Sequence, residues 1–241
     1  AYPEAAKREI STPFYAAYLK IAEGCDNNCT YCAIPKIRGK FRSRKTEDIV
    51  SEAQKLAEDG VLELNIIAQD TAYYGTDLYG EPRLAQLLEK LCQIDGIEWI
   101  RVLYMYPERI DEKLLNVFLE NKKLARYFDI PIQHINDEIL KKMGRRTCRK
   151  EILGKIELIR KVLPDAVLRT SLIAGFPGET ERQHEELCEF IKEVKFDRLG
   201  VFAYSREEGT PAGEMENQID EAVKEARLDA IMRRQLEISL A

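Results

Sequence analysis

Hydrophobic and polar positions follow a repeating order along the chain, in which short apolar runs alternate with amphipathic segments. Six runs have the length and the Val, Ile and Leu content of buried strands: 16–22, 62–68, 98–104, 127–132, 166–174 and 198–204. Each run is followed by apolar residues at helical spacing, such as Ile49, Ala53 and Leu56. Repeated strand and helix units of this kind predict a parallel sheet with right-handed crossovers.

Local start signals support three of the helices. Thr46 is predicted to cap a helix over residues 46–59, and Asn136 to open a short helix. Thr180 and Gln183 have the spacing of a capping box, in which each side chain bonds the backbone of the other residue. These signals predict where three of the helices begin.

Six units without a seventh or eighth predict an α/β fold that is an incomplete, laterally open βα barrel with six parallel strands. In such folds the loops that follow the strands gather on one rim, where function is usually found. The loops on this rim read GCDNNCTYC, QDTAYYG, YPER, PIQHIND, GFPGET and YSREEGT. Candidate functional residues are therefore expected in these loops.

Composition excludes some functions and favours a single domain. The chain has 241 residues, 45% of them hydrophobic, which is enough for one large core. The net charge is -5 with both signs interspersed, so nucleic acid is not the expected partner of this domain. No apolar run approaches the roughly 20 residues of a membrane span, and residues 1–14 lack the apolar core of a signal peptide. The expected location is the cytoplasm.

Cysteine usage points to a metal site. Three of the six cysteines, Cys25, Cys29 and Cys32, fall within eight positions. A tight cluster in a reducing compartment is typical of metal binding, whereas scattered cysteines usually behave as small buried hydrophobes. The scattered cysteines here are Cys92, Cys148 and Cys188.

The C-x3-C-x2-C spacing favours an iron-sulfur cluster. Thiolates are the usual ligands of such clusters, and three of them leave one iron of a four-iron cluster open for a small molecule. A closed zinc site needs a fourth ligand, and no further Cys or His lies near Cys25–Cys32 in the chain. Zinc binding and a purely structural role for the cysteines remain the alternatives.

The triplet, with the aromatic Tyr31 before its last cysteine, resembles the signature of radical S-adenosylmethionine (SAM) enzymes. The resemblance covers essentially the whole chain. It implies that Cys25, Cys29 and Cys32 hold a [4Fe-4S] cluster whose open iron binds SAM, and that SAM is cleaved reductively to a 5'-deoxyadenosyl radical. It also implies that the main chain at Tyr31 lies near the adenine while its ring shields the cluster.

The flanking sequence at 12–44 is similar to that of the methylthiotransferases, which insert a CH3S group at an unactivated carbon. Segments 68–75, 128–146, 169–180 and 204–212 resemble the branch that modifies the β-carbon of an aspartate in the twelfth small-subunit ribosomal protein. The branch acting on tRNA adenosine typically shows QN and QSGS where this chain has QD and QH. That tRNA branch and a non-catalytic iron-sulfur or metal-binding module remain the alternative functions.

Several rim residues are predicted to bind SAM: Gln69, Gln133, Arg145, Arg169, Ser171 and Gly175. Gln69, with Asp70, ends the second strand, where many radical SAM proteins place groups that meet the methionine amine. Arg145 is suited to pairing with the SAM carboxylate. The alternatives for these residues are loop capping and a place on the solvated surface.

The fifth strand and the loop after it supply the remaining predictions. Arg169 and Ser171 alternate with apolar neighbours, so both are predicted to point into the barrel, where an arginine needs an anionic partner. A structural ion pair is the alternative for Arg169. Gly175 permits a tight turn that brings the backbone close to a ligand, here the adenosine of SAM. For His134 a structural and a substrate-facing role are both open, and no role is assigned to Tyr106.

The expected domain organisation is a linker over residues 1–15 and a radical SAM domain over 16–241 that ends in a linker helix. The resemblance implies an N-terminal domain with a second [4Fe-4S] cluster and a small C-terminal β-domain, neither of which is found in this sequence. We therefore expect this chain to cleave SAM without completing methylthiolation. The implied partners are a small-subunit ribosomal protein and an electron donor such as flavodoxin or ferredoxin.

Overall fold

Strands and helices alternate along residues 11–240, the part of the chain that a computed structural model describes. The strands are β1 (Ala16–Lys20), β2 (Ala22–Glu23), β3 (Arg42–Ser43), β4 (Glu63–Ile67), β5 (Trp99–Val102), β6 (Tyr127–Asp129), β7 (Val167–Ala174) and β8 (Arg198–Ala203). The helices are α1 (Ile34–Arg38), α2 (Thr46–Glu58), α3 (Thr76–Tyr79), α4 (Leu84–Cys92), α5 (Glu112–Glu120), α6 (Asp137–Lys142), α7 (Arg149–Val162), α8 (Glu181–Val194) and α9 (Glu221–Leu240). Residues 1–10 of the predicted linker lie outside the described residues.

Six parallel strands form the barrel wall, as predicted. Their order is β1-β4-β5 in one sheet and β6-β7-β8 in the next. A parallel bridge between Ile100 and Leu124 and a bond from the Met105 N–H to the Asp129 carbonyl (2.9 Å) connect the two sheets. In the described part of the chain β1 and β8 each pair with one strand only, so the barrel is open.

The convex face of the wall is buried under the helices. Alternate strand residues such as Leu19, Leu64 and Ile100 are fully buried there. The apolar stripe of α2, which includes Ile49 and Leu56, belongs to the same core. The opposite residues of each strand, such as Tyr18, Asn65 and Arg101, line the concave surface and are half-buried or exposed.

The first and fourth strands are shorter than predicted. The run 16–22 divides into β1 and β2, and β2 pairs antiparallel with β3. This small hairpin closes the base of the loop that carries the cysteines, and the Arg44 N–H bonds the Ile21 carbonyl across it (2.9 Å). β6 ends at Asp129, two residues before Pro131, which has no N–H with which to continue a strand ladder.

Two of the three predicted helix starts are confirmed. Thr180 and Gln183 form the capping box of α8, and the Asn136 side chain accepts two backbone N–H groups at the start of α6. The cap at Thr46 is wrong, because Lys45 is the cap residue and Thr46 is the first residue of α2. The Thr46 hydroxyl instead lies 3.1 Å from the Tyr74 hydroxyl. None of the helices in residues 11–240 is long and apolar enough to cross a membrane.

Candidate cofactor site

The cysteine loop begins directly after β2 on the rim. Gly24 has a φ of +79°, and a Cβ at this position would overlap the Lys40 carbonyl oxygen. The Cys25 N–H donates to the Gly39 carbonyl (3.2 Å). Glycine therefore allows the two ends of the loop to touch.

All three cysteines are free thiols in a shielded position. Cys25 and Cys29 are buried, and Cys32 is half-buried. Burial raises the pKa of the Cys25 and Cys32 thiols, so both favour the protonated form unless a positive centre offsets the loss of hydration. A bound metal centre supplies that charge and deprotonates coordinating thiols. The donor set therefore fits an iron-sulfur cluster.

Within residues 11–240 no group of three or more Cys, His, Asp and Glu side chains converges closely enough to hold a single metal ion. A four-iron cluster is several atoms across, so its cysteine ligands need not converge on one point.

Two distant segments clamp the cysteine loop. The Thr30 N–H bonds the Met143 carbonyl (3.0 Å), and the Ala212 N–H bonds the Thr30 carbonyl (2.9 Å). Gly144 packs against Asn28 so closely that a Cβ would overlap the Asn28 carbonyl oxygen. The loop conformation thus depends on backbone contacts that are remote in sequence.

Asp70 lies beneath the cysteine loop. Its Oδ2 accepts from Asn27 Nδ2 (3.2 Å) and from Arg109 Nε (3.2 Å), and the Asn27 N–H faces the Cys25 sulfur (3.4 Å). Burial raises the Asp70 pKa, and Arg109 opposes that rise. Asp70 therefore supports the cysteine loop. The buried Gln69 Oε1 has no hydrogen-bond partner among the described residues. Gln69 as a SAM ligand stays a prediction.

Two side chains contact Cys29, and no pattern in the sequence predicted either contact. Its sulfur lies 3.6 Å from the Tyr106 hydroxyl and 4.0 Å from Arg145 Nη1. The Arg145 guanidinium lies over the Tyr106 ring, with Cζ 4.2 Å from the ring centroid, and Nη2 bonds the Pro131 carbonyl (2.9 Å). The sequence analysis missed Tyr106, and the only signal for it was a place in the rim loop YPER.

Three other predicted SAM ligands lie in β7 or in the loop after β6: Gln133, Arg169 and Ser171. Gln133 has a φ of +71°, and its backbone bonds the Ser171 carbonyl (2.9 Å). Such left-handed backbone in a residue with a side chain is often found at binding sites. Arg169 forms an ion pair with Asp129 (2.5 Å), so the anionic partner expected for it is a carboxylate of the protein. Whether Gln133, Arg169 and Ser171 touch SAM stays a prediction.

Gly175 has a structural reason to be glycine. Its φ is +73°, and a Cβ would overlap the Lys224 side chain of α9. Its N–H donates to Glu179 Oε2 (2.8 Å), so it is already occupied within the loop. Beside it, the Phe176 ring packs edge-on to Tyr31, with ring centroids 6.5 Å apart. Contact between Gly175 or Tyr31 and the adenosine stays a prediction.

Glu179 gathers both histidines of the chain. Its carboxylate lies 3.9 Å from His134 Nε2, 3.8 Å from His184 Nδ1 and 3.3 Å from Arg227 Nη1. Burial, with contributions from His184 and Arg227, lowers the pKa of His134 to about 3, so the ring is neutral and its contact with Glu179 is not an ion pair. Burial raises the pKa of Glu179 to about 7 although Arg227 opposes it. The structure thus favours a packing role for His134.

Acid should destabilise the fold through His134. The His134 pKa of about 3 in the folded protein lies below the ordinary value of 6.5. The stability gained by burying the neutral ring is therefore fully present above pH 6.5 and is lost as pH falls toward 3. Relative to His134→Gln, we expect the free energy of unfolding of the wild type to drop by up to ~1.4 kcal/mol per pH unit in that range, whereas the raised pKa of Glu179 acts in the opposite direction. Urea unfolding of the wild type and of His134→Gln at several pH values measures the difference. Parallel pH profiles for the two proteins would contradict the assignment.

Comparison with known proteins defines the class. Residues 19–191 match the radical SAM superfamily, and the chain belongs to that family. It is 61% identical over 232 residues to ribosomal protein uS12 methylthiotransferase RimO of Clostridioides difficile, covering 96% of this chain and 52% of the relative. It is 60% identical over 232 residues to the RimO of Clostridium perfringens strain 13, with the same coverage. The chain spans about half the length of these curated relatives.

Solved structures agree on the fold. The radical SAM methyltransferase TsrM from Kitasatospora setae, with cobalamin and a [4Fe-4S] cluster bound, superposes with a TM-score of 0.69 at 18% identity, covering 86% of this chain and 42% of TsrM. Methylornithine synthase PylB gives a TM-score of 0.64 at 14% identity, covering 93% and 62%. Family membership implies a [4Fe-4S] cluster and SAM as cofactors, as the cysteine triplet predicted.

Proposed function

We propose that this chain is the radical domain of a methylthiotransferase that modifies the β-carbon of an aspartate in ribosomal protein uS12. The observation that carries the proposal is the 61% identity to a uS12 methylthiotransferase over 96% of the chain. That similarity spans 52% of the relative, and we propose that the complete reaction also uses parts of the protein beyond those compared.

Cys25, Cys29 and Cys32 would hold the cluster at the rim, and Asn27 with Asp70 would keep the loop in place beneath it. The cluster with SAM supplies one-electron reductive cleavage of the sulfonium carbon-sulfur bond. The protein's own contribution is to hold the thiolates, to exclude water and to orient the ligand.

The residues around the concave surface would orient SAM. Gln69 Oε1 is a buried acceptor without a partner among the described residues, which suits it to a donor such as the SAM amine. The Gln133 N–H, in the loop after β6, donates to the carbonyl of Ser171 within β7, and the two residues would line the same opening together with Arg169. Gly175 and Phe176 would form the wall beside Tyr31 on the adenosine side.

The remaining parts of the proposal lie outside this chain. They are a second [4Fe-4S] cluster in an N-terminal domain, a C-terminal β-domain that binds the substrate, and an electron donor such as flavodoxin or ferredoxin. Residues 16–241 would then form the radical domain, acting in the cytoplasm where ribosomal proteins are available.

Anaerobic reconstitution tests the proposal. After iron and sulfide are added, we expect about four of each per chain, and we expect 5'-deoxyadenosine when the protein is reduced with dithionite in the presence of SAM. The fragment alone should yield no methylthiolated uS12, whereas the full-length protein should. Zinc in place of iron, or an iron-sulfur protein that leaves SAM intact, would contradict it. Methylthiolated tRNA in place of uS12, detected by mass spectrometry, would assign the chain to the tRNA branch.

A further inference from the structure

Cys29 differs from the other two cysteines of the triplet in its surroundings. Arg145 Nη1 and the Tyr106 hydroxyl both face its sulfur, at 4.0 and 3.6 Å. The Cys25 sulfur is faced instead by the backbone N–H of Asn27 at 3.4 Å. Among the contacts described for residues 11–240, a cationic side chain bonds only this one of the three sulfurs.

The Arg145 side chain is held in a fixed orientation. It is 8% exposed, Nη2 donates to the Pro131 carbonyl (2.9 Å), and the guanidinium lies over the Tyr106 ring. These two contacts aim Nη1 at Cys29, and the low exposure limits screening of the positive charge by water. The Tyr106 hydroxyl lies 3.6 Å from the same sulfur, and a cluster-bound thiolate has no proton, so the hydroxyl would be the donor in that contact.

The reduction potential of an iron-sulfur cluster depends on net charge, on hydrogen bonds to its sulfurs and on solvent exposure. Reduction adds a negative charge, which a nearby cation and sulfur-directed donors stabilise. We propose that Arg145 and Tyr106 raise the reduction potential of the bound cluster by acting on the Cys29 thiolate. The proposal rests on the proposed function in that the triplet holds the cluster. It also gives Arg145 a task other than pairing with the SAM carboxylate.

The midpoint potential, measured without SAM, is the direct test. The reconstituted 241-residue chain is titrated with dithionite, and the reduced cluster is followed by electron paramagnetic resonance. For Arg145→Gln we expect a shift to a more negative potential, with the ratio of reduced to oxidised cluster at fixed poise falling about tenfold, or about 59 mV for one electron. Arg145→Lys keeps the charge and should shift less. Tyr106→Phe keeps the ring under Arg145 but removes the hydroxyl, and it should also shift to a more negative potential.

Arg101→Gln is the matched control. Arg101 also lies over a tyrosine, with its Cζ 4.9 Å from the Tyr127 ring centroid, and it pairs with Glu63. Its described contacts do not include the cysteine loop. The variant removes the same charge and the same kind of stacking, and its potential should equal that of the wild type.

Three outcomes would overturn the inference. These are wild-type potentials for both Arg145→Gln and Tyr106→Phe, an equal shift for Arg101→Gln, or weaker SAM binding by Arg145→Gln at an unchanged potential. The last result would assign Arg145 to the SAM carboxylate. If Arg145→Gln does not retain iron, Arg145→Lys and Tyr106→Phe carry the test. A wild-type protein that holds the cluster but leaves SAM intact would contradict the proposed function alone, because the potential is measured without SAM.

Discussion

Cys29→Ala is expected to lower both cluster content and SAM cleavage by more than about 100-fold, because loss of even an outer-shell partner of a metal site costs 10–100-fold. Cys29 is buried beside Arg145 and Tyr106, so no solvent ligand can readily replace its thiolate. Iron and sulfide assays, together with 5'-deoxyadenosine measured after dithionite reduction, give the two readouts.

Cys92→Ala is the control for that substitution. Cys92 is a buried thiol on α4, and burial raises its pKa to about 11, so it remains protonated and packs as an apolar side chain. The variant should retain the cluster and cleave SAM as the wild type does. A Cys29→Ala protein that keeps its iron and still cleaves SAM would remove this cysteine from the ligand set.

Gly24→Ala should disrupt the cysteine loop without altering any ligand. The positive φ costs a residue with a Cβ about 1–2 kcal/mol, and here the Cβ would also overlap the backbone carbonyls of Gly39 and Lys40. Backbone cannot move aside as the end of a side chain can. We expect a loss of about 3 kcal/mol in the free energy of unfolding of the metal-free protein, measured in urea, and a lower iron content after reconstitution.

Gly60→Ala distinguishes the cost of the positive φ from the cost of the steric overlap. Gly60 has a φ of +89°, yet a Cβ there would meet nothing within 4 Å. This variant carries the conformational strain alone, so it should lose about 1–2 kcal/mol and bind iron normally. Equal destabilisation by both alanine variants would show that the close approach of Gly24 to the backbone of Gly39 and Lys40 is unimportant.

The fold could be predicted because its signal is periodic. All six barrel strands coincide with apolar runs, and the capping box at Thr180 was visible as a residue pair at fixed spacing. The hairpin of β2 and β3 could not be predicted, because each strand has two residues and shows no alternation. At Thr46 the local capping signal was overridden by tertiary contact with the Tyr74 hydroxyl.

The functional site could be predicted only where its residues lie close together in the sequence. The cysteine triplet is such a case, because its spacing favours an iron-sulfur cluster over zinc. Tyr106 and Arg145 meet at Cys29 from loops 77 and 116 residues away, so no pattern in the sequence relates them. Gly175 and Lys224 are also far apart in the sequence, so their contact could not be predicted. This contact explains why residue 175 is a glycine without reference to any ligand.

Helix α9 stabilises the turn after β7 and the strand-side loops through three side chains. Arg227 holds the Glu179 carboxylate, Lys224 fills the space above Gly175, and Gln235 Nε2 donates to the Phe196 carbonyl (2.8 Å). A chain shortened to residue 220 would leave Glu179 buried without its arginine and would uncover the turn after β7. Anyone trimming this protein to its smallest working unit should therefore place the cut beyond Gln235.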